Sequence, residues 1–185
     1  MTQALSAIVP KEMMALGLRP LFLFELSVAP PSLIGRTPGV DRRVGEITGG
    51  RFEGERLRGK ILSGGSDWQA VRTDGAWMLD VRCVMQTDDG ALIGMTYRGM
   101  RHGPKEVLDR IGKGEVVDPT LYYMRATPYF ETASEKYDFL NKLVGVAYGH
   151  RLATGPVYSV FEVLLTPKSI SLRLEKLNLI MARQL

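Results

Sequence analysis

The chain has 185 residues, 45% of them hydrophobic and 24% charged, which is enough for one domain with a sizeable core. Its formal net charge of +4 does not favour a nucleic-acid partner, because basic and acidic residues alternate and form no basic tract. The single cysteine, Cys83, excludes an intrachain disulfide. Since no run approaches the roughly 20 apolar residues of a membrane span and no signal-peptide pattern is present, we expect a cytoplasmic protein without a membrane partner.

Residues 1–19 are predicted to form an N-terminal extension. Pro10 suits the start of a helix and Gly17 its end, so the sequence favours one short helix from Pro10 to Leu18. A barrel domain is predicted over residues 20–165. It opens with an apolar, aromatic-rich run of strand length.

Residues 31–44 are rich in glycine, proline and charge, and are predicted to be a long polar loop that could form part of a lid over a barrel mouth. Further along, β-prone runs alternate with turns such as Asp74-Gly75 and Asp88-Asp89-Gly90. Glycine permits the positive φ of tight hairpin turns, so turns about every 8–12 residues indicate an antiparallel all-β domain. The predicted strands lie at 45–54, 56–63, 66–73, 77–87, 91–100, 121–131, 142–152 and 156–165.

One internal helix is predicted from Pro104 to Ile111, because proline suits its first turn and Gly112 can form its C-terminal cap. The tail, residues 166–185, is expected to be a separate segment. Residues 170–183 could form a helix that packs against the barrel or a partner subunit, with a disordered end as the alternative.

Eight ordered motifs over about residues 20–165 resemble a known family. They are Gly49-Gly50 with Phe52-Glu53-Gly54, Gly64-Gly65 with Asp67-Trp68, Asp80 with Arg82, Thr87-Asp88-Asp89-Gly90, Tyr97-Arg98-Gly99, Asp118-Pro119 with Tyr122-Tyr123, Pro128 with Phe130-Glu131-Thr132, and Leu140-Asn141. The set is similar to domain-of-unknown-function family 3237. That resemblance implies a small antiparallel β-barrel of about eight strands, often oligomeric, in a family whose activity is largely unassigned.

We therefore expect an all-β protein: a closed antiparallel β-barrel of about eight or nine strands, calycin-like, with one short internal helix and short terminal helices. A homo-oligomer, most simply a homodimer, is expected because apolar residues occupy both strand parities, as at Leu92 and Ile93. Phe139 stands where the family usually has a tryptophan, which changes the bulk of one wall.

No metal site or cofactor is expected. His102 and His150, the only histidines, do not form an HxH or HExxH arrangement, and no P-loop or GxGxxG opens a helix. What remains is acid–base and electrostatic chemistry inside a barrel.

Asp80 and Arg82 share strand parity in the 77–87 run, and we predict that both face the interior as part of a ligand pocket. The alternative is that this charged face is simply solvated. A second candidate is Asp67 beside Trp68, since desolvation by tryptophan would raise the carboxyl pKa toward neutrality. Its alternative is an aspartate that caps a turn.

Arg101-His102 and Tyr123-Met124-Arg125 could supply a proton shuttle and a carboxylate clamp, because a guanidinium binds a carboxylate in a bidentate fork. These residues predict a cofactor-independent lyase or isomerase acting by decarboxylation, elimination or cyclisation on a small organic acid, expected to be aromatic. The alternative is a non-catalytic barrel that binds a hydrophobic acid or serves as an assembly subunit. The predicted catalytic residues are Asp67, His102 and Tyr97, and the predicted substrate-binding residues are Trp68, Asp80, Arg82, Tyr123, Arg125 and Asn141.

Overall fold

The computed structural model describes residues 4–165, and the predicted tail at 166–185 lies outside the described residues. The described residues divide into two compact units, one formed by residues 20–161 and the other by residues 4–19 with 162–165. The candidate site described below lies wholly in the first unit.

The described part of the terminal unit contains two short 3-10 helices rather than the single helix predicted from Pro10 to Leu18. They span Leu5–Ala7 and Lys11–Met14, and the first strand begins at Leu18. In this unit Arg19 forms an ion pair with the buried Glu162. The predicted helix is therefore too long at its C-terminal end, where the chain is already extended.

Ten strands and one α-helix are found in the described residues. The strands are β1 (Leu18–Val28), β2 (Ser32–Arg36), β3 (Asp41–Glu53), β4 (Arg58–Ile61), β5 (Gly65–Val71), β6 (Trp77–Thr87), β7 (Leu92–His102), β8 (Tyr123–Glu131), β9 (Gly145–Arg151) and β10 (Pro156–Val163), with α1 (Lys105–Gly112) between β7 and β8. Two further 3-10 helices span Pro119–Leu121 and Glu135–Lys142.

The strands form a closed antiparallel barrel, as predicted. Hydrogen bonding follows the order β1-β10-β9-β8-β7-β6-β4-β3, and β1 also pairs with β3, which closes the ring. Strands β4 and β5 lie one after the other between β3 and β6 and fill a single barrel position. Since β2 lies outside the ring on the edge of β3, the ten strands make an eight-stranded barrel. Closure removes the exposed sheet edges that an open sheet would leave.

The prediction that residues 31–44 form a loop is wrong. Ser32–Arg36 forms β2 and pairs antiparallel with the start of β3, with Arg36 opposite Asp41. The turn is closed by the Thr37 side chain, which accepts a hydrogen bond from the Val40 N–H and donates one to the Val40 carbonyl. Leu33 and Ile34 favour a strand, but the proline and glycine residues around them led to the prediction of a loop.

Turn chemistry explains why the other predicted strands were placed well. Gly75 has a φ of 83° in the turn before β6, a value that favours glycine. The internal helix is also close to its prediction, with Pro104 directly before the first helical residue, Lys105. The strand predicted at 142–152 begins only at Gly145, because the 3-10 helix Glu135–Lys142 occupies its predicted start.

The interior of the barrel differs along its length. At one end, where β6 finishes and β7 starts, aromatic and aliphatic side chains pack closely; Phe22 lies 5.8 Å from Phe52 and 5.7 Å from Phe130 between ring centroids. Met85 and Ile93 are fully buried beside them. We call this half of the interior the closed end. At the opposite end, where β6 starts and β7 finishes, inward positions carry polar and charged side chains.

A layer of three rings separates the two halves. Phe24 stacks on Tyr158 with centroids 4.9 Å apart, and Tyr97 lies 5.5 Å from Tyr158 and 6.1 Å from Phe24. All three side chains are buried. We call these rings the aromatic floor.

Candidate functional site

The candidate site lies at the end of the barrel above the aromatic floor. Strand register identifies its inward side chains, because directly paired residues of an antiparallel sheet project to the same face. Asp67 is paired with the fully buried Val81, and Trp77 with the buried Arg101. The inward polar side chains here, which we call the mouth, belong to Arg43, Asp67, Gln69, Trp77, Arg101 and Arg151.

Asp67 on β5 is the carboxylate of the mouth. Its Oδ2 accepts a 2.7 Å hydrogen bond from the Gln69 side-chain amide, whereas its Oδ1 is buried and has no hydrogen-bond partner among the described residues. Burial raises the pKa of Asp67 from 3.8 to about 6, although hydrogen bonds from Gln69 and the Asp80 backbone and the charge of Arg101 act in the opposite direction. Asp67 is therefore held through one oxygen, while its other oxygen is buried and unpaired.

Arg101 on β7 is the buried cation of the mouth, with only 9% of its surface exposed. Its Nε has no hydrogen-bond partner, and within residues 4–165 no carboxylate lies at ion-pair distance from it. Its guanidinium carbon lies 4.3 Å from the centroid of Trp77, a cation–π contact. A buried group left without a partner costs about 1–3 kcal/mol, so an anionic ligand here would gain from a donor that is already desolvated.

Arg43 on β3 approaches the same tryptophan. Its guanidinium carbon lies 4.8 Å from the Trp77 centroid, and its terminal nitrogen makes a 2.9 Å ion pair with Asp41. Its Nε is also buried without a hydrogen-bond partner. The buried side-chain atoms found unpartnered in the described residues are thus Arg43 Nε, Asp67 Oδ1 and Arg101 Nε, and all three belong to the mouth.

Arg151 at the end of β9 completes the mouth. The inward parity of this strand is marked by the buried Gly145, Ala147 and Gly149, and Arg151 continues it. Its backbone N–H donates to the Tyr122 hydroxyl at 2.7 Å, and its guanidinium donates to the Leu152 carbonyl at 2.9 Å.

Tyr122 fixes this part of the rim through a second contact. Its hydroxyl lies 3.0 Å from Nδ1 of His150, so one phenol links a histidine ring to the Arg151 backbone. Burial is the main cause that raises the pKa of Tyr122, so the phenol stays neutral.

The aromatic floor supplies two neutral phenols beneath the mouth. Burial is the largest cause that raises the pKa of Tyr97, followed by the neighbouring Tyr158 and Asp67, and burial likewise raises that of Tyr158. Tyr158 fits only because β9 has glycine opposite it: a Cβ on Gly149 would lie 2.6 Å from the Tyr158 ring and 2.7 Å from Met124. Both tyrosines can donate a hydrogen bond but not act as bases near neutral pH.

The prediction that Asp80 and Arg82 face the interior is wrong. The buried side chains of β6 are Leu79, Val81 and the others of their parity, so Asp80 and Arg82 project outward. Asp80 lies on the outer surface 3.6 Å from Arg98, and its side chain is 43% exposed. The reason is that β6 runs mostly past the closed end and the floor, where the interior is a packed core and the apolar parity must face inward.

Of the predicted catalytic residues, the mouth brings together Asp67 and, at its floor, Tyr97. His102 projects outward and stacks on the exposed Tyr123, with ring centroids 4.8 Å apart. Arg125 also lies on the outer side, 3.4 Å above the Tyr148 ring. These residues form an outer cluster apart from Asp67.

Trp68 and Asn141 have no place in the mouth. Trp68 points away from the interior and is 48% exposed. Asn141 accepts a hydrogen bond from the Thr132 N–H at 2.9 Å and donates to the Thr132 carbonyl at 2.9 Å, which ties the 3-10 helix Glu135–Lys142 to the end of β8. Its contacts support a structural role at the closed end.

Sequence reasoning missed Gln69, Trp77 and Arg151 and considered Arg101 only together with His102. The signal for Gln69 was present, because it shares parity with Asp67 around the outward Trp68. For Arg101, the apolar Met95 and Tyr97 of the same parity pointed inward, and a continuation of that alternation leads to Arg101 rather than His102. Trp77 and Arg151 lie at strand ends, where sequence patterns give little information.

Three wider features of the described residues complete this description. No cluster of three or more histidine, cysteine or acidic side chains is arranged to hold a metal ion within residues 4–165. Nor does that part of the chain contain a helix with the length and apolar character needed to cross a membrane. Burial raises the pKa of the Cys83 thiol to about 12, as expected for an inert core cysteine.

Comparison with known proteins identifies the family. The family described as "Protein of unknown function (DUF3237)" matches residues 16–163. The chain belongs to this family. A curated relative, an uncharacterised UPF0311 protein of Clostridium acetobutylicum, is 36% identical over 144 residues, which cover 77% of this chain and 91% of the relative.

Solved structures resemble the architecture of this DUF3237 chain. A conserved protein of unknown function from Rhodopseudomonas palustris superposes with a TM-score of 0.79 at 32% identity, covering 81% of this chain and 99% of that one. A protein described as β-barrel-like from Acinetobacter baumannii has a TM-score of 0.71 at 40% identity, covering 81% of this chain and 97% of its own.

A more distant structural neighbour is described as an enzyme from Penicillium herquei. It has a TM-score of 0.62 at 21% identity, and the match covers 80% of this chain and 95% of that protein. At this identity the likeness shows a shared fold alone.

Proposed function

We propose that the mouth is the active site of a cofactor-independent enzyme, a lyase or isomerase, which moves a proton on a small organic acid. The observation that carries the proposal is the presence of an unpartnered carboxylate oxygen, Asp67 Oδ1, and an unpartnered guanidinium nitrogen, Arg101 Nε, at one end of the barrel interior. Burying such atoms is costly unless they are used on a ligand.

In this proposal Arg101 binds the carboxylate of the substrate. Arg101 is better placed for this role than Arg82 or Arg125, because both of those side chains lie on the outer side of the barrel. The guanidinium is charged at any physiological pH, and its contact with Trp77 fixes its position. A cation held in advance lowers the entropy cost of orienting the substrate.

Asp67 accepts or donates the proton. With a pKa of about 6 it is mostly ionised at neutral pH, yet its conjugate acid is strong enough to return the proton within one turnover. Because Gln69 occupies Oδ2, the proton would move through Oδ1.

Tyr97 serves as a hydrogen-bond donor rather than as a base. It is neutral and lies in the aromatic floor beneath Asp67, where negative charge that develops on the substrate could be stabilised. Trp77 and the floor provide flat walls for an aromatic or otherwise apolar body. Proton abstraction, elimination and ring closure need no more than these groups.

The test begins with a panel of aromatic carboxylic acids, screened for a rise in melting temperature and then for conversion to product by mass spectrometry. For an acid that is converted, Asp67→Asn should lower kcat by about 10²-fold or more with little change in KM. Arg101→Lys should mainly raise KM, because lysine lacks the planar fork of arginine.

Outer-face variants are the matched controls. Asp80→Asn and Arg82→Lys change the same residue types on the outside of β6 and should leave both constants within about twofold. Full activity in Asp67→Asn, or a large loss in the two outer variants, would place the active site elsewhere.

The second candidate function is a non-catalytic barrel that binds a hydrophobic acid or serves as an assembly subunit. The close-packed aromatic floor supports this alternative, because its stacked rings fill the interior beneath the mouth as in a structural core. Acids that raise the melting temperature but are never converted, with Asp67→Asn binding them as tightly as wild type, would support binding over catalysis.

A homo-oligomer and a cytoplasmic location also remain our proposals. Exposed apolar side chains on β2, Leu33 and Ile34, are 70% and 56% exposed and would be covered in an oligomer. Light scattering over a range of micromolar concentrations would test this, and a monomer mass throughout would contradict it.

A further inference from the structure

The mouth holds more positive charge than a single carboxylate ligand would neutralise. Arg101 and Arg151 both occupy inward positions, on β7 and β9. Neither has a carboxylate at ion-pair distance among the described residues. The positive charge of Arg151 acts on Arg101: after burial, it is the next largest cause that lowers the pKa of Arg101.

The acidic groups nearby do not balance these two cations. Asp41 is engaged in the ion pair with Arg43. That leaves Asp67, a single carboxylate whose Oδ2 faces Gln69 rather than an arginine. The two guanidinium groups therefore repel each other with at most one carboxylate between them, an arrangement that an anionic ligand would relieve.

We infer that the mouth binds a ligand with two anionic groups, a short or aromatic dicarboxylic acid, with one carboxylate on Arg101 and the second on Arg151. The inference rests on the proposed function in taking the mouth as the ligand site, and goes beyond it by naming the substrate class. Each guanidinium offers a bidentate partner to one carboxylate, so the second carboxylate adds affinity that a monoacid cannot obtain.

The rim contacts hold Arg151 in position for this role. Its backbone is tied to the Tyr122 hydroxyl at 2.7 Å and its NH1 to the Leu152 carbonyl at 2.9 Å, so part of the guanidinium is anchored while its other nitrogens can face a ligand. Trp77, contacted by Arg101, offers a flat surface against which an aromatic dicarboxylate could lie.

Benzoate and the three benzenedicarboxylates, phthalate, isophthalate and terephthalate, test the spacing of the two sites. The three isomers differ in the distance between their two carboxylates, and benzoate carries only one. We would measure their dissociation constants by isothermal titration calorimetry at pH 7.5 and fixed ionic strength. At least one dianion should bind about 10-fold or more tightly than benzoate, a difference of about 1.4 kcal/mol or more.

Three variants assign the two anion sites. Arg151→Met should reduce the best dianion to the affinity of benzoate, with benzoate itself changed by less than about threefold. Arg101→Met should weaken both ligands. The matched control is Arg98→Met, which removes an outer-face arginine paired with Asp80, and it should change neither.

A measurement on the wild-type protein tests the inference without relying on variants that could fold poorly. The advantage of the dianion over benzoate should shrink when sodium chloride is raised from low to high concentration, because salt screens each charge contact. The inference is overturned if no dianion binds more tightly than benzoate, or if the advantage survives in Arg151→Met.

Failure of the inference and failure of the proposed function are distinguishable. Benzoate that binds through Arg101, without any dianion advantage, rejects the two-anion ligand and leaves the proposed site intact. If neither benzoate nor any dianion responds to Arg101→Met, the mouth is not the anion site and both fail.

Discussion

The two ends of the barrel interior are built on opposite principles. At the closed end, Phe22, Phe52 and Phe130 pack edge to face and leave no polar atom to satisfy. At the mouth, Arg101 and Asp67 are buried with polar atoms left unpartnered. The first arrangement stabilises the fold and the second weakens it, which is the expected signature of a site whose partner is a ligand.

The largest difference in stability should come from emptying the closed end. Phe52→Ala removes a buried ring and leaves a cavity, so it should lower the free energy of unfolding by about 3–5 kcal/mol. Urea denaturation would measure the loss. Val116→Ala, at a position that is 60% exposed, is the control and should cost less than about 0.5 kcal/mol. An equal cost at both sites would show that the closed end is not the core.

In contrast to Phe52→Ala, the substitution Asp67→Asn should raise the free energy of unfolding, and the size of this gain should depend on pH. Because the pKa of Asp67 is raised from 3.8 to about 6, the unfolded chain releases this proton first as pH rises. Folded-state stability from this group is therefore present below about pH 4 and is lost between about pH 4 and pH 6, a loss of up to about 3 kcal/mol.

Asparagine mimics the protonated side chain and does not suffer this loss. Asp67→Asn should match wild type near pH 4 and become more stable by up to about 3 kcal/mol at pH 8, as measured by urea denaturation at both values. Asp80→Asn on the outer face should show no such divergence. A constant difference between wild type and Asp67→Asn at all pH values would mean that Asp67 has an ordinary pKa.

Arg101→Met should also stabilise the protein, by about 1–2 kcal/mol, since it removes a buried cation without a carboxylate partner and retains most of the apolar volume. Thermal unfolding would detect a higher melting temperature. A strongly destabilised variant would indicate that Arg101 is paired in solution and that the mouth is satisfied without a ligand.

The smallest effect is expected outside the barrel. Asp80 and Arg98 form an exposed pair, and the Arg98 side chain is 81% exposed. Asp80→Ala and Arg98→Ala, singly or together, should change the free energy of unfolding by less than about 0.5 kcal/mol. A double-mutant cycle with a coupling above about 1 kcal/mol would contradict this view of the outer face.

The fold could be predicted because its signals are local. Glycine turns such as those at Gly75 and Gly90 fix where strands end, and both have the positive φ that the sequence implied. The hairpin formed by β2 and β3 was not predicted. Its turn is closed by hydrogen bonds between Thr37 and Val40, and neither residue type is a characteristic turn signal in a sequence.

The site was predicted only in part, because a one-residue difference in a strand reverses the face. Asp67 and Tyr97, predicted as catalytic residues, lie inside the barrel, whereas Arg82 was expected inside and lies outside, and Arg101 was considered only with His102. In β6 the charged residues Asp80 and Arg82 were predicted to line the cavity. They project outward because the interior beside β6 is a packed apolar core. Strand register decides which inward side chains lie above the aromatic floor. The sequence alone does not give that register.

The aromatic floor also limits how far a ligand can enter. Phe24, Tyr97 and Tyr158 pack together inside the barrel, so a ligand bound to Arg101 as proposed would keep any long substituent pointing out of the barrel. A spacer joined to that outer end would remain in water and leave the anchoring groups untouched. The same geometry would let the protein take an acid still attached to a larger carrier, and it makes an acid coupled to a resin through such a spacer a practical bait.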